Sequence, residues 1–243
     1  MSRISYFMEV KGKDRDQIVE SGGTRVKWMA RPYQHLACVL TALDARGFLQ
    51  SAEHGVPMRG GEPYPLLTWP FLDWIESFDF GALRIAEFGS GASTLYFAAR
   101  FRAVQSFETD AAWHERIAGR IGANVDYRLI AADDLVAGNW SVDADMVLID
   151  CAANRLAVAT QLLAKAAPPF VVLDNAEWYP NAARAIREAG YHEVPFWGFK
   201  CSEDWESCTT LFIRRDATLP PRRDTLPPPL ARPSRNNAWD RLA

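Results

Sequence analysis

No stretch of the 243 residues approaches the roughly 20 consecutive apolar residues of a membrane-spanning helix. The first twenty, MSRISYFMEVKGKDRDQIVE, lack an apolar core and a small-residue cleavage site, so no secretory signal is expected. Cysteine is scarce. Cys38, Cys151, Cys201 and Cys208 form no CxxC pair, and their spacing does not suit a four-cysteine metal site. Free thiols in a reducing cytoplasm are the expectation, with disulfides as the alternative. Neither sign of charge dominates: 27 Lys and Arg stand against 30 Asp and Glu, for a net charge of −3. Such a balance gives no global attraction to nucleic acid or to an anionic membrane, and neither is expected as a partner, although a local basic patch could still form. There are no internal repeats. What remains is 49% apolar and 23% charged, the composition of one globular α/β domain with appendages.

Four segments follow from composition. Residues 1–24 are polar and charged and read as an arm. Residues 25–67 read as a helical and loop extension. A helix is expected over 25–49, where Trp28, Leu36, Val39, Leu40, Leu43 and Phe48 fall near helical spacing and Gly47 marks an end, and a Gly- and Pro-rich loop with His54 follows. Residues 68–215 carry the main domain. Residues 216–243 hold six prolines and five arginines, which cannot build a core and read as an extended or disordered tail.

Within the main domain, Thr68-Trp69-Pro70 predicts a helix start, with a Thr cap and Pro in the first turn. Apolar runs at 83–88, 103–108, 125–131, 144–150 and 169–175 alternate with helical segments, which predicts a parallel sheet covered on both faces. Residues 191–199 and 208–215 have only a polar loop between them, so they pair as a hairpin. The expected fold class is α/β: a Rossmann-like, doubly wound, mostly parallel seven-stranded sheet with a C-terminal antiparallel hairpin.

The chain is organised around LRIAEFGSGAST, residues 83–94. An apolar strand stops at Gly89-Ser90-Gly91 and a helix begins at once. Glycines let a ligand lie close to the backbone, and the first turn of the helix favours a carboxylate or phosphate. The alternative is a tight turn that binds nothing. Four of the five strands end at or just before a carboxylate: Glu108, Asp133-Asp134, Asp150 and Asp174. In open parallel sheets ligands bind beyond those strand ends, so these acids are expected to face one place. Each has its plainer reading, Glu108 as a solvated strand end and Asp133 or Asp134 as a helix cap.

Five parallel strands closed by a hairpin resemble the class I S-adenosylmethionine (SAM) dependent methyltransferases, over about residues 68–215. EFGSG resembles that family's first motif, and the run from PLLTWPFLDWI through EFGSGAST to TTLFI resembles bacterial members. The resemblance implies S-adenosyl-L-methionine held by Glu87, Gly89, Ser90, Gly91, Ser93 and Thr94. Glu108 would sit on the ribose hydroxyls, Asp133 at the adenine and Asp150 at the pocket. NAD is the rival. A dinucleotide fingerprint wants a third small residue where Thr94 stands, which with the hairpin counts against it.

Asp150 and Asp174-Asn175 lie one crossover apart. Two carboxylates and an amide suit a hard divalent ion such as Mg²⁺, and they resemble the catechol-type O-methyltransferases, which implies metal ligation by Asp150, Asp174 and Asn175 and catalytic roles for Asp150 and Asn175. The lysine that family places after the first aspartate is absent; Cys151-Ala152-Ala153-Asn154-Arg155 stands there. The alternative is that Asp150 and Asn175 bind loop N–H groups without metal. Trp178, Tyr179, Phe196, Trp197, Phe199 and Trp205 are expected to border the acceptor pocket, or else to pack the hairpin. His54, His114 and His192 stand alone and read as surface or core residues. The expected function is methyl transfer from SAM to a small-molecule hydroxyl. The alternatives are a non-catalytic SAM- or partner-binding protein and an NAD-dependent oxidoreductase.

Overall fold

The computed structural model describes residues 31–223; the arm over 1–24 and the tail beyond 223 lie outside the described residues. Contacts divide the chain into two units. The described part of the first is helix α1, Arg31–Ala45, inside the helix expected over 25–49. All that follows lies in the second unit, which begins at Gly47.

The stretch expected as loop is more regular. Helix α2, Phe48–His54, leads to a hairpin of β1, Met58–Arg59, and β2, Glu62–Pro63. Gly60 and Gly61 join the two strands with φ of +60° and +86°. Paired left-handed residues match the twist of a hairpin, and glycine adopts them without a Cβ clash. Helix α3, Trp69–Glu76, begins where expected, but Thr68 does not cap it. Its hydroxyl donates to Phe196 O at 2.9 Å, while its N–H donates to Thr209 Oγ1 at 3.0 Å. The residue expected to start a helix ties that helix to the terminal hairpin.

The main sheet comprises β3 (Arg84–Phe88), β4 (Ala103–Glu108), β5 (Val125–Leu129), β6 (Met146–Ile149), β7 (Phe170–Leu173), β8 (Tyr191–Phe199) and β9 (Glu206–Arg214). Its order is β5-β4-β3-β6-β7-β9-β8. The first five strands are parallel. β9 runs antiparallel to β7, with Leu173 opposite Thr210, and β8 antiparallel to β9. This is the expected doubly wound, Rossmann-like sheet with its terminal hairpin. Helices α4 (Ala92–Ala98), α5 (Ala111–Ala118), α6 (Ala132–Ala137), α7 (Arg155–Lys165) and α8 (Pro180–Glu188) connect the strands, with a 3₁₀ turn at Ala176–Trp178.

Alternation along the strands divides the core. Val147, Ile149, Val171 and Leu173 join Val158, Leu162 and Ile186 of α7 and α8 on one face. Met146, Leu148, Phe170 and Val172 join Phe71, Leu72 and Ile75 of α3 on the other. Every residue of β6 and β7 is buried, as both-face coverage of a parallel sheet requires.

The first residues of the segment expected as a tail pair with the residues after α3. Asp79 N–H donates to Pro221 O at 2.8 Å, Arg223 N–H donates to Ser77 O at 2.9 Å, and Phe78 and Arg222 form an antiparallel bridge. Proline-rich sequence cannot form a core, yet its extended backbone can still pair.

Candidate active site at the strand ends

The sheet order reverses at β3, whose neighbours are β4 and β6. At such a switch point a crevice opens beyond the strand ends. Gly89 follows β3 there with φ +96°, and a Cβ on it would lie 2.5 Å from Asp150 O. The β3 turn and the end of β6 therefore touch backbone to backbone, which only glycine permits. A cavity of about 550 Å³ opens over this junction. Ser90, Gly91, Trp113 of α5 and Asp150 line it together with Met58 and Leu66. That volume is in the range of small-molecule sites.

The acids expected to converge do not. Glu87 lies fully buried beneath the turn and accepts from Ser93 Oγ at 2.8 Å, from Ser106 Oγ at 2.8 Å and from Thr94 Oγ1. Burial pushes its pKa up to about 7 against those three hydroxyls. Thr94 Oγ1 also accepts from Gly91 N–H at 3.0 Å. Glu87 and Thr94 thus brace the turn from below. Ser90 and Ser93 remain at the cavity.

Glu108 is buried at the end of β4, and four donors hold its carboxylate. Oε2 accepts from Ser90 N–H at 3.0 Å and from Ser90 Oγ at 2.6 Å, while Oε1 accepts from the N–H groups of Thr109 at 2.7 Å and Asp110 at 2.9 Å. Ser90 Oγ also lies 2.7 Å from Tyr127 Oη. Trp113 Nε1–H donates to Ser90 O at 2.9 Å, setting the indole over the turn. Asp133 is exposed in the first turn of α6, and it is not a cavity-lining residue. Asp134 accepts from Asn139 Nδ2 at 2.7 Å.

Among the strand-end acids only Asp150 lines the cavity. Its Oδ1 accepts from Arg155 at 2.9 Å. Arg155 is itself buried. It donates to Cys151 O at 3.0 Å and to Asp174 O at 2.6 Å, and its guanidinium lies 4.4 Å from the Tyr179 ring centre. Burial, with the nearby Asp174 carboxylate, raises the Asp150 pKa well above the usual carboxylate range, and Arg155 pulls the other way. A carboxylate so placed can take a proton near neutral pH.

The expected metal set does not fit a divalent ion. Asp174 is 1% exposed; its Oδ2 accepts from Lys200 Nζ at 2.6 Å and its Oδ1 from Thr209 Oγ1 at 2.6 Å. Asn175 Oδ1 accepts from the same ammonium at 3.2 Å. The oxygens that would hold Mg²⁺ already serve a lysine, and Asp150 is turned to an arginine. Among the described residues no cluster of three or more His, Cys, Asp or Glu could hold a metal.

The aromatic residues expected around an acceptor pocket are placed elsewhere. Phe196 packs on Phe71 and Trp74, and Phe199 on Trp69, with centroids 5.7, 6.2 and 6.2 Å apart. Trp178, Trp197 and Trp205 are exposed, and none of the six lines the cavity. The wall comes instead from residues 55–67. His54 and His192 are exposed, and His114 stacks on Tyr127 at 4.1 Å. Cys151, Cys201 and Cys208 are buried free thiols. Sequence reasoning missed Arg155 and Lys200: a helix-initial arginine and a lysine in a polar loop carry no local sign of burial. Among the described residues no helix is long and apolar enough to cross a membrane.

No protein-family model and no curated protein sequence matches the chain. Among solved structures the chain is similar to a precorrin-6y C5,15-methyltransferase from Geobacter metallireducens, at 13% identity over 59% of this chain and 85% of that one, with a TM-score of 0.44. It is similar to the N-methyltransferase NodS from Bradyrhizobium japonicum, at 14% identity over 55% and 87%, with a TM-score of 0.42. It is also similar to TrmK of M. capricolum in complex with S-adenosyl-homocysteine, at 10% identity over 62% and 70%, with a TM-score of 0.46.

Proposed function

We propose that this chain is a SAM-dependent methyltransferase acting on a small-molecule hydroxyl. The observation that carries the reading is the cavity of about 550 Å³ at the β3–β6 switch point, lined by Ser90, Gly91, Ser93 and Asp150. When bound, SAM supplies an electrophilic methyl on a sulfonium. The chain's own work is then placement and proton removal. The turn, braced by Glu87 and Thr94, gives the cofactor a close approach to backbone. Glu108 is the acid for the ribose. In this reading a ribose hydroxyl replaces Ser90 Oγ at Glu108 Oε2, and the released serine keeps its Tyr127 partner. Asp150, held by Arg155, accepts the acceptor's proton as its oxygen attacks. Trp113, Met58 and Leu66 exclude water and hold the acceptor's apolar body, and alignment of nucleophile and methyl supplies much of the rate.

Calorimetric titration of S-adenosylhomocysteine into the full chain tests this, with NAD titrated in parallel. Micromolar binding of S-adenosylhomocysteine, weakened in Glu108→Gln, supports the reading. Binding of NAD alone ends it.

A further inference from the structure

Behind the Asp150 wall lies a closed charge cluster. Lys200 follows β8 and is 1% exposed, as buried as the Asp174 it meets. Its Nζ lies 2.6 Å from Asp174 Oδ2, 3.2 Å from Asn175 Oδ1 and 4.0 Å from Glu203 Oε2. An ammonium has three donors and no acceptor, and here it faces three oxygens. Burying an ammonium is costly unless every donor is satisfied by opposite charge or oxygen. Asn175 presents its oxygen from a left-handed backbone, φ +50°. A side-chain oxygen is thus held toward the cation at some conformational cost.

Occupied oxygens leave no place for a second cation. Asp150 is paired with Arg155 and Asp174 with Lys200, and Glu203 lies 4.0 Å from the same ammonium. A divalent ion would need oxygen contacts near 2.1 Å from carboxylates that these two cations already hold. It would also place two further positive charges beside a buried ammonium.

We propose that Lys200 is the built-in cation of this centre, its ammonium standing between Asp174 and Asn175 where a divalent ion would otherwise bind. The inference deepens the proposed methyl transfer and rests on it for its catalytic meaning. Lys200 acts there as a positioning residue. It fixes Asp174, whose backbone carbonyl receives Arg155, and Arg155 in turn sets Asp150 at the cavity. The site therefore works without a divalent metal.

The test is titration of Mn²⁺ into the full chain, followed by calorimetry, with S-adenosylhomocysteine titrated separately in Mg²⁺ and in EDTA. The wild type is expected to bind no Mn²⁺ below millimolar concentration, and its S-adenosylhomocysteine affinity is expected to agree within twofold between the two buffers. Lys200→Ala is expected to gain one Mn²⁺ site per chain, at least tenfold tighter than any in the wild type, and adding Asp174→Asn is expected to abolish it. Removing the ammonium can also unfold the chain. In that event refolding yield rises with MnCl₂ if the inference holds and ignores it otherwise. A wild-type Mn²⁺ site that Asp174→Asn removes, or a folded Lys200→Ala with no Mn²⁺ site, overturns the inference. Failure of S-adenosylhomocysteine to bind overturns the methyltransferase reading instead, and leaves the Mn²⁺ result standing by itself.

Discussion

Ser90 Oγ donates to Glu108 Oε2 at 2.6 Å, joining the turn after β3 to the end of β4. With Ser90 N–H on the same oxygen, one carboxylate sets the shape of the turn as well as its charge. Glu108→Gln keeps the size of the side chain and removes the charge. Charge-assisted hydrogen bonds contribute about 1.5–3 kcal/mol, so S-adenosylhomocysteine affinity is expected to fall roughly ten- to hundredfold. Calorimetry reads this directly, and an unchanged affinity would remove Glu108 from the ribose role.

The contact of Gly89 with Asp150 O makes a second expectation. Gly89→Ala forces a Cβ to 2.5 Å from a backbone oxygen at φ +96°. A strained backbone of this kind costs about 1–3 kcal/mol, and the clash with main chain adds to it. The thermal midpoint should fall by several degrees and cofactor binding should be lost. Gly119→Ala is the control, because nothing lies within 4 Å of its Cβ position. It should leave the midpoint unchanged or slightly raised.

Glu87 links stability to pH. Its folded pKa is raised from 4.5 to about 7, with burial the first cause. Between those values the folded state binds more protons than the unfolded, so stability falls as pH rises. The Glu87 contribution is complete below about 4.5, declines through that window and is flat above about 7. Glu87→Gln cannot titrate. Its thermal midpoint should lose this part of the decline between pH 4.5 and 7. A wild-type midpoint with the same slope as Glu87→Gln would show that Glu87 ionises normally.

The base role proposed for Asp150 is tested by separating binding from chemistry. Asp150→Asn should bind S-adenosylhomocysteine within about threefold of wild type. It should turn over a hydroxyl acceptor on the order of 10²-fold or more slowly, the scale of lost general-base catalysis. Release of S-adenosylhomocysteine during turnover measures this. Equal rates in the two proteins would assign proton removal to another group.

Much of the fold was legible because the signals are local. In β6 and β7 every side chain is apolar, the mark of a strand covered on both faces, and an aspartate follows each, Asp150 and Asp174. The hairpin of β8 and β9 followed from the lack of room for a crossover helix between them. The β1–β2 hairpin was harder. Glycines and prolines dominate residues 55–65, and their density masks the paired Gly60-Gly61 turn. Thr68 illustrates the limit of local rules: its place before Pro70 is that of a cap, and its hydroxyl is taken by Phe196 from 128 residues away in the chain.

The sequence by itself determined the strand series, the glycine turn and which strands carry acids at their ends, because apolar periodicity and turn chemistry act over a few residues. Only the tertiary structure decided where those acids point. Glu108 turns to Ser90, Asp174 to Lys200 and Asp150 to the cavity beside Arg155. The physical reason is that a buried carboxylate must find donors or a cation wherever the fold brings them. For Asp174 that partner, Lys200, lies 26 residues along the chain, beyond the reach of any local pattern.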